Sequence, residues 1–174
     1  MANVWREPIF DRTLEDVEFA IQKIAEWKKN HTHSTDVRVK KDVSIVEVGD
    51  VYDLKGCLNL VDLNRIEGNI GYLAEKMESF AYSPNIHIKQ WGKADMPNQN
   101  DMSRIIENIR ALMNAFYSPA NPRLLPSTML TYLDINAIEE NLYLIKELLD
   151  WMQSSFKKVG TIKSGSATFL PIRR

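Results

Sequence analysis

The sequence predicts a mainly α fold: a bundle-like domain of four related, capped helices with small β segments, a hairpin and a terminal strand. Three observations predict it. A helix-start signature, [Thr/Asn]-x-x-Asp, recurs four times. Each copy is followed by apolar residues at helical spacing. The stretches between copies alternate apolar and polar residues or carry prolines, and neither pattern continues a helix.

The four copies begin at Thr13, Asn59, Asn98 and Thr131, each with an aspartate three residues on: Asp16, Asp62, Asp101 and Asp134. Thr or Asn is a good N-cap, because its side-chain oxygen accepts an orphan N–H of the first turn. The aspartate reaches back to the N–H of the cap residue and sits at the positive end of the helix dipole. Losing one such cap costs about 1 kcal/mol. Apolar stripes follow: Val17, Ala20, Ile24 and Trp27; Leu63, Ile66, Ile70 and Leu73; Met102, Ile105, Ile109 and Leu112; Ile135, Ile138, Leu142 and Ile145. The first is the weakest.

A polar position also repeats. Asn69, Asn108 and Asn141 stand seven residues after their aspartates, with Lys23 in the first copy. Asparagine competes with the helix backbone for hydrogen bonds. Its recurrence beside the apolar stripe predicts a partly buried amide bonded to a neighbouring loop rather than a ligand contact. The aspartates are 46, 39 and 33 residues apart. A stacked array keeps a fixed period, so the reading is a bundle.

Helix one is expected to end near residues 28–30, where basic residues suit the negative end of the dipole. Residues 36–48 alternate as one strand or a short hairpin ended by Gly49 and Asp50, and residues 85–91 read as a second strand. Helix three stops before 118–126, which holds three prolines. Helix four runs from Thr131 to about Phe156, and the tail is rich in Ser, Thr and Gly. The expectation is one domain over 1–174, with a helical core at about 13–157, a β insertion at about 36–50 and a C-terminal tail at about 159–174.

Lys and Arg total 22 against 23 Asp and Glu, a net charge of −1. That argues against a broad basic nucleic-acid surface. Arg65, Arg104 and Arg110 occupy exposed-looking helix positions, but the fourth copy has Ala137 where the second and third have Arg65 and Arg104. The single cysteine, Cys57, excludes an intrachain disulfide and a cysteine zinc cluster. No apolar run reaches the roughly 18 residues of a membrane span. The N-terminal residues lack a signal-peptide pattern, so the chain is expected to be made and kept in the cytosol.

Reactive chemistry is hard to assemble. His31 and His33 supply two metal ligands at most, without a third nearby, and read as a solvated loop. His87 alternates with Ile86 and Ile88 on an exposed face. The four aspartates each have a local role as caps. Cys57 precedes helix two, where the dipole lowers a thiol pKa, but no partner base can be named. Phosphate loops, dinucleotide fingerprints and nucleophile elbows are absent from the sequence. No catalytic, cofactor or metal residue is therefore assigned, and the chain is not expected to be an enzyme. Trp27 and Trp151 read as core. Trp5, Ile9 and Phe10 at the N-terminus, with Phe169 in the tail, are the candidate interface residues.

The stretches 53–73 (DLKGCLNLVDLNRIEGNIGYL) and 91–112 (WGKADMPNQNDMSRIIENIRAL) resemble segments common in tail and baseplate-associated structural proteins of phages and prophages of Gram-positive bacteria. The resemblance extends over roughly residues 50–145. It implies a structural subunit of a phage tail, baseplate or phage-tail-like particle, acting by protein–protein assembly, with a fibre or baseplate adaptor as one form of that role. The implied partners are other tail or baseplate proteins and further copies of the chain, without nucleic acid, membrane or cofactor. The implied location is the particle, after synthesis in the bacterial cytoplasm. The alternative reading is a small helical metal- or ligand-binding domain, or an enzyme accessory protein.

Overall fold

Four α-helices start where the caps place them. The computed structural model describes residues 3–31, 54–92, 95–125 and 131–159. The helices are α1 (Leu14–His31), α2 (Leu60–Glu78), α3 (Gln99–Ala115) and α4 (Tyr132–Val159). The expected β insertion at 36–50 and the tail with Phe169 lie outside the described residues. His31 closes α1 instead of standing in a loop, and α4 runs to Val159, slightly beyond its expected end.

All four starts carry the aspartate device. The Thr13 N–H donates to Asp16 Oδ2 at 2.8 Å, Asn59 to Asp62 at 2.9 Å, Asn98 to Asp101 at 3.2 Å and Thr131 to Asp134 at 2.7 Å. The return bond from the aspartate N–H reaches the side chain of Thr13, Asn98 and Thr131. Asn59 also donates from its side chain to the carbonyls of Leu54 and Cys57, tying down the turn before α2.

Among the described residues the core cluster is built from α2, α3 and α4. α2, α3 and α4 pack pairwise against one another. Their stripes meet as a cluster in which Ile66, Ile70, Leu73, Ile105, Ile109, Leu112, Ile138, Leu142 and Ile145 are fully buried. Each such side chain contributes about 1.5–3 kcal/mol of transfer free energy. Trp91 joins the cluster at 3 % exposure, and among the described residues none of α1 belongs to it. α1 buries Ala20 and leaves Leu14, Phe19 and Ile21 exposed. Its start leans on the turn at Gly56, where a Cβ would run into the Asp16 carbonyl and the Val17 N–H. Of its described stripe residues Ala20 is buried and Val17 and Ile24 are half-buried, so α1 lies against the other three helices by a shallower face. Trp151 corrects an expectation: it is 69 % exposed on α4.

Residues 83–92 are extended but do not form the expected strand. Their main-chain groups bond to side chains of α2 and α3 instead of to a second strand. Residues 3–12 and 117–125 likewise form neither helix nor strand, the latter bending at 120 and 121. The helices thus alternate with extended segments laid into the grooves between them.

Candidate functional site

The grooves are built from four positions of the repeat. Counted from the capping aspartate, positions two, three, five and seven are Asn64, Arg65, Glu67 and Asn69 in α2. In α4 they are Asn136, Ala137, Glu139 and Asn141, and in α3 they are Ser103, Arg104, Ile106 and Asn108. In α1 they are Glu18, Phe19, Ile21 and Lys23, so α1 carries none of the device.

Residues 3–12 occupy the groove between α2 and α4. The Arg6 N–H donates to Asn69 Oδ1 at 2.9 Å, and Asn69 Nδ2 donates to the Arg6 carbonyl at 2.8 Å. The Ile9 N–H donates to Glu139 Oε2 at 2.7 Å. The Arg12 N–H donates to Asn136 Oδ1 at 3.2 Å, and Asn136 Nδ2 returns a bond to the Arg12 carbonyl at 2.9 Å.

Residues 83–92 repeat this between α3 and α2. Asn108 grips both main-chain groups of His87, at 2.9 and 2.8 Å. Glu67 accepts the Lys89 N–H at 3.2 Å. Asn64 grips both groups of Trp91, at 2.9 and 3.1 Å. The order is the same in both grooves: asparagine seven of one helix, then glutamate five and asparagine two of the other. In the third groove Asn141 grips Arg123 at 2.9 and 3.0 Å. There α3 offers Ile106 and Ser103 in place of the glutamate and the second asparagine. Three helices and three extended segments therefore follow one another in a ring.

Charge locks the same grooves. Arg65 of α2 binds Glu139 of α4 with Nε at 3.0 Å and Nη2 at 2.7 Å. Arg104 of α3 binds Glu67 of α2 through both terminal nitrogens, and Arg104 Nη1 also donates to the His87 carbonyl at 2.6 Å. At the corresponding positions of α4 and α3 stand Ala137 and Ile106, which carry no charge. Arg12 enters the first lock, with Nη2 at 3.1 Å from Asp62 and 2.9 Å from Glu139, while Nη1 donates to the Ile9 carbonyl. Arg12, Arg65, Asp62 and Glu139 are all buried and formally neutral together. Burial opposes the Arg65 charge, but Glu139 and Asp62 outweigh it and raise its pKa further. Arg104 is raised by its bond to Glu67.

The predicted site residues distribute as follows. The four aspartates stay at their own caps, and Asp62 adds the arginine lock. Asn69, Asn108 and Asn141 all bond neighbouring loops as expected. Trp5 packs partly buried on the chain's own core, tilted against Tyr72 with ring centroids 5.7 Å apart. Ile9 is half-buried, and Phe10 meets Tyr143 at 5.6 Å. Arg65 is 6 % exposed, so it is not the outward-facing residue its sequence position suggested; Arg110 is exposed. Cys57 lines a cleft of about 450 Å³ with Arg12, Val17, Leu58, Tyr132 and Ile135. Burial, then the Asp62 charge, pushes its thiol up, the opposite of activation. Among the described residues no group of three or more His, Cys, Asp or Glu is placed to hold a metal ion. No helix among them is long and apolar enough to cross a membrane.

Sequence reasoning missed Asn64, Asn136, Arg12, Glu67 and Glu139. The signal for the asparagines was the shared Asp-Φ-Asn of Asp62–Asn64 and Asp134–Asn136, where Φ is apolar. Comparison with protein-family models, curated proteins and solved structures returns no match to this chain.

Proposed function

We propose that the chain is a structural subunit of a phage tail, baseplate or phage-tail-like particle and works by protein–protein assembly. The observation that carries this reading is the use made of the polar groove residues. Asn64, Asn69, Asn108, Asn136, Asn141, Glu67 and Glu139 all bond the chain's own extended backbone. Such an arrangement makes a rigid carrier rather than a reaction vessel. The resemblance over residues 50–145 supports the same reading. Within its first stretch, residues 53–73, the polar residues Asp62, Asn64, Arg65, Glu67 and Asn69 are a cap, two clamps and two halves of arginine–glutamate locks.

The contacts of such a subunit would come from its outer faces. Leu14, Phe19 and Ile21 on α1 and Trp151 on α4 are large apolar residues more than half exposed. Aromatic and aliphatic side chains of this kind anchor interfaces. The test is co-expression with the products of neighbouring genes, followed by size separation. Recovery in a stoichiometric complex or a particle supports the assignment. A chain that stays monomeric and joins none of them overturns it.

A further inference from the structure

We infer that the groove between α2 and α4 can take residues 3–12 of a second copy of this chain, so that copies join by exchanging N-terminal arms. Two of the three grooves are filled by connectors that must stay in their own chain: residues 83–92 join α2 to α3, and 117–125 join α3 to α4. The arm is different. It reaches α2 only through α1 and residues 32–53. Those 22 residues (53 − 32 + 1) can span at most about 75 Å, enough to reach a neighbouring bundle.

The groove also recognises main chain. Asn69 and Asn136 bond both main-chain groups of Arg6 and Arg12, and Glu139 accepts the Ile9 N–H, all of which an identical arm presents equally well. Side-chain selection falls to Trp5 against Tyr72 and to Arg12 in its acidic pair, and both favour a second copy over an unrelated peptide. Among the described residues α1 contributes none to the core cluster, and its contacts at Gly56 and Lys55 can be remade on the same turn of the receiving copy when it travels with the arm. Exchange of identical elements is a low-cost route to assembly because it creates few new contacts. The geometry of the groove stands without the assembly role proposed above, which only supplies its use.

Asn3 and Glu75 mark the arm and the groove, with Asn3 Nδ2 2.7 Å from Glu75 Oε1. In a Cys57→Ser background, one chain carries Asn3→Cys and a differently tagged chain carries Glu75→Cys. The two are co-expressed and treated with a short bis-maleimide. Neither chain can bridge within itself at this position. The expected result is a mixed covalent pair at twice the 20.1 kDa chain mass, absent when Arg110→Cys replaces Glu75→Cys. Val4→Cys with Glu75→Cys gives a second geometry should the first pair fold poorly. Only monomers, or a mixed pair no stronger than the Arg110 control, overturns exchange. A chain that then still joins its neighbours' products keeps the assembly role, whereas exchange without such partners removes that role and keeps the arm.

Discussion

Asn69 and Arg6 meet across 63 residues of chain, and the asparagine amide satisfies both the N–H and the C=O of that one arginine. A single side chain thus does for an extended segment what a neighbouring strand would do in a sheet. The same relationship holds for Asn108 with His87 and Asn141 with Arg123.

Each clamp is expected to contribute through two bonds at once. Asn69→Ala, Asn108→Ala and Asn141→Ala should each lower unfolding free energy by about 2 kcal/mol, from two part-buried bonds at about 1 kcal/mol each. Asn69→Asp should be no better than Asn69→Ala. It keeps an acceptor for the Arg6 N–H but sets a carboxylate against the Arg6 carbonyl. Urea denaturation of the four variants checks the order, and an Asn69→Asp chain as stable as the parent would refute the two-bond clamp.

The arginine–glutamate locks should be strongly coupled. Arg104→Ala removes the cation that faces buried Glu67, and Glu67→Ile removes that carboxylate together with the acceptor of the Lys89 and Trp91 N–H groups, each at a cost of about 3–5 kcal/mol. The double variant places in this groove the residue types that Ala137 and Ile106 provide at the same repeat positions of α4 and α3. It should cost about 1–3 kcal/mol less than the sum of the singles. A double-mutant cycle by thermal or urea unfolding measures the difference, and strict additivity would argue against a lock.

Two opposite substitutions at small residues test the backbone. Gly68 lies in the interior of α2 with nothing within 4 Å of where a Cβ would stand. Gly68→Ala should stabilise the chain by about 0.5–1 kcal/mol. Ala81, just after α2, has φ of 66°, a left-handed conformation where a Cβ is strained. Ala81→Gly should therefore also stabilise, by about 1 kcal/mol. Differential scanning calorimetry should show both transitions moving up.

Acid should weaken the caps. Asp16 is held below the ordinary aspartate value of 3.8 first by its bond from the Thr13 backbone and then by the Thr13 side chain. Burial raises Asp150, but Lys146 and Lys76 more than offset it and leave its pKa lowered. A carboxyl lowered by folding adds stability above its unfolded value, and that stability disappears as pH falls through the folded value. Stability should therefore hold at neutral pH and decline below about pH 3.8. The Asp16→Asn chain should lose less of its stability over that range. An NMR titration placing the Asp16 carboxyl above 3.8 would contradict the assignment.

The helix starts were legible because each cap needs only residues within four positions of one another. The stripes of α2, α3 and α4 were legible for the same reason. Asn69, Asn108 and Asn141 could be recognised as polar residues needing partners, since an amide beside an apolar stripe cannot be left unbonded. Their partners could not be recognised. Arg6, His87 and Arg123 take part through main-chain groups, which every residue has and no sequence pattern marks. Arg65 looked exposed because its partner Glu139 lies 74 residues away, beyond any local spacing rule. The peripheral place of α1 was half visible in its weak stripe and in Lys23 at the asparagine position.

The ring also sets a timetable for synthesis. Ile9 leaves the ribosome 130 residues before Glu139, the side chain that receives its N–H. At roughly 5–20 residues per second the N-terminal arm waits several seconds or more for the last wall of its groove. During that interval polysomes bring nascent chains side by side, and the first finished groove to appear need not be the arm's own.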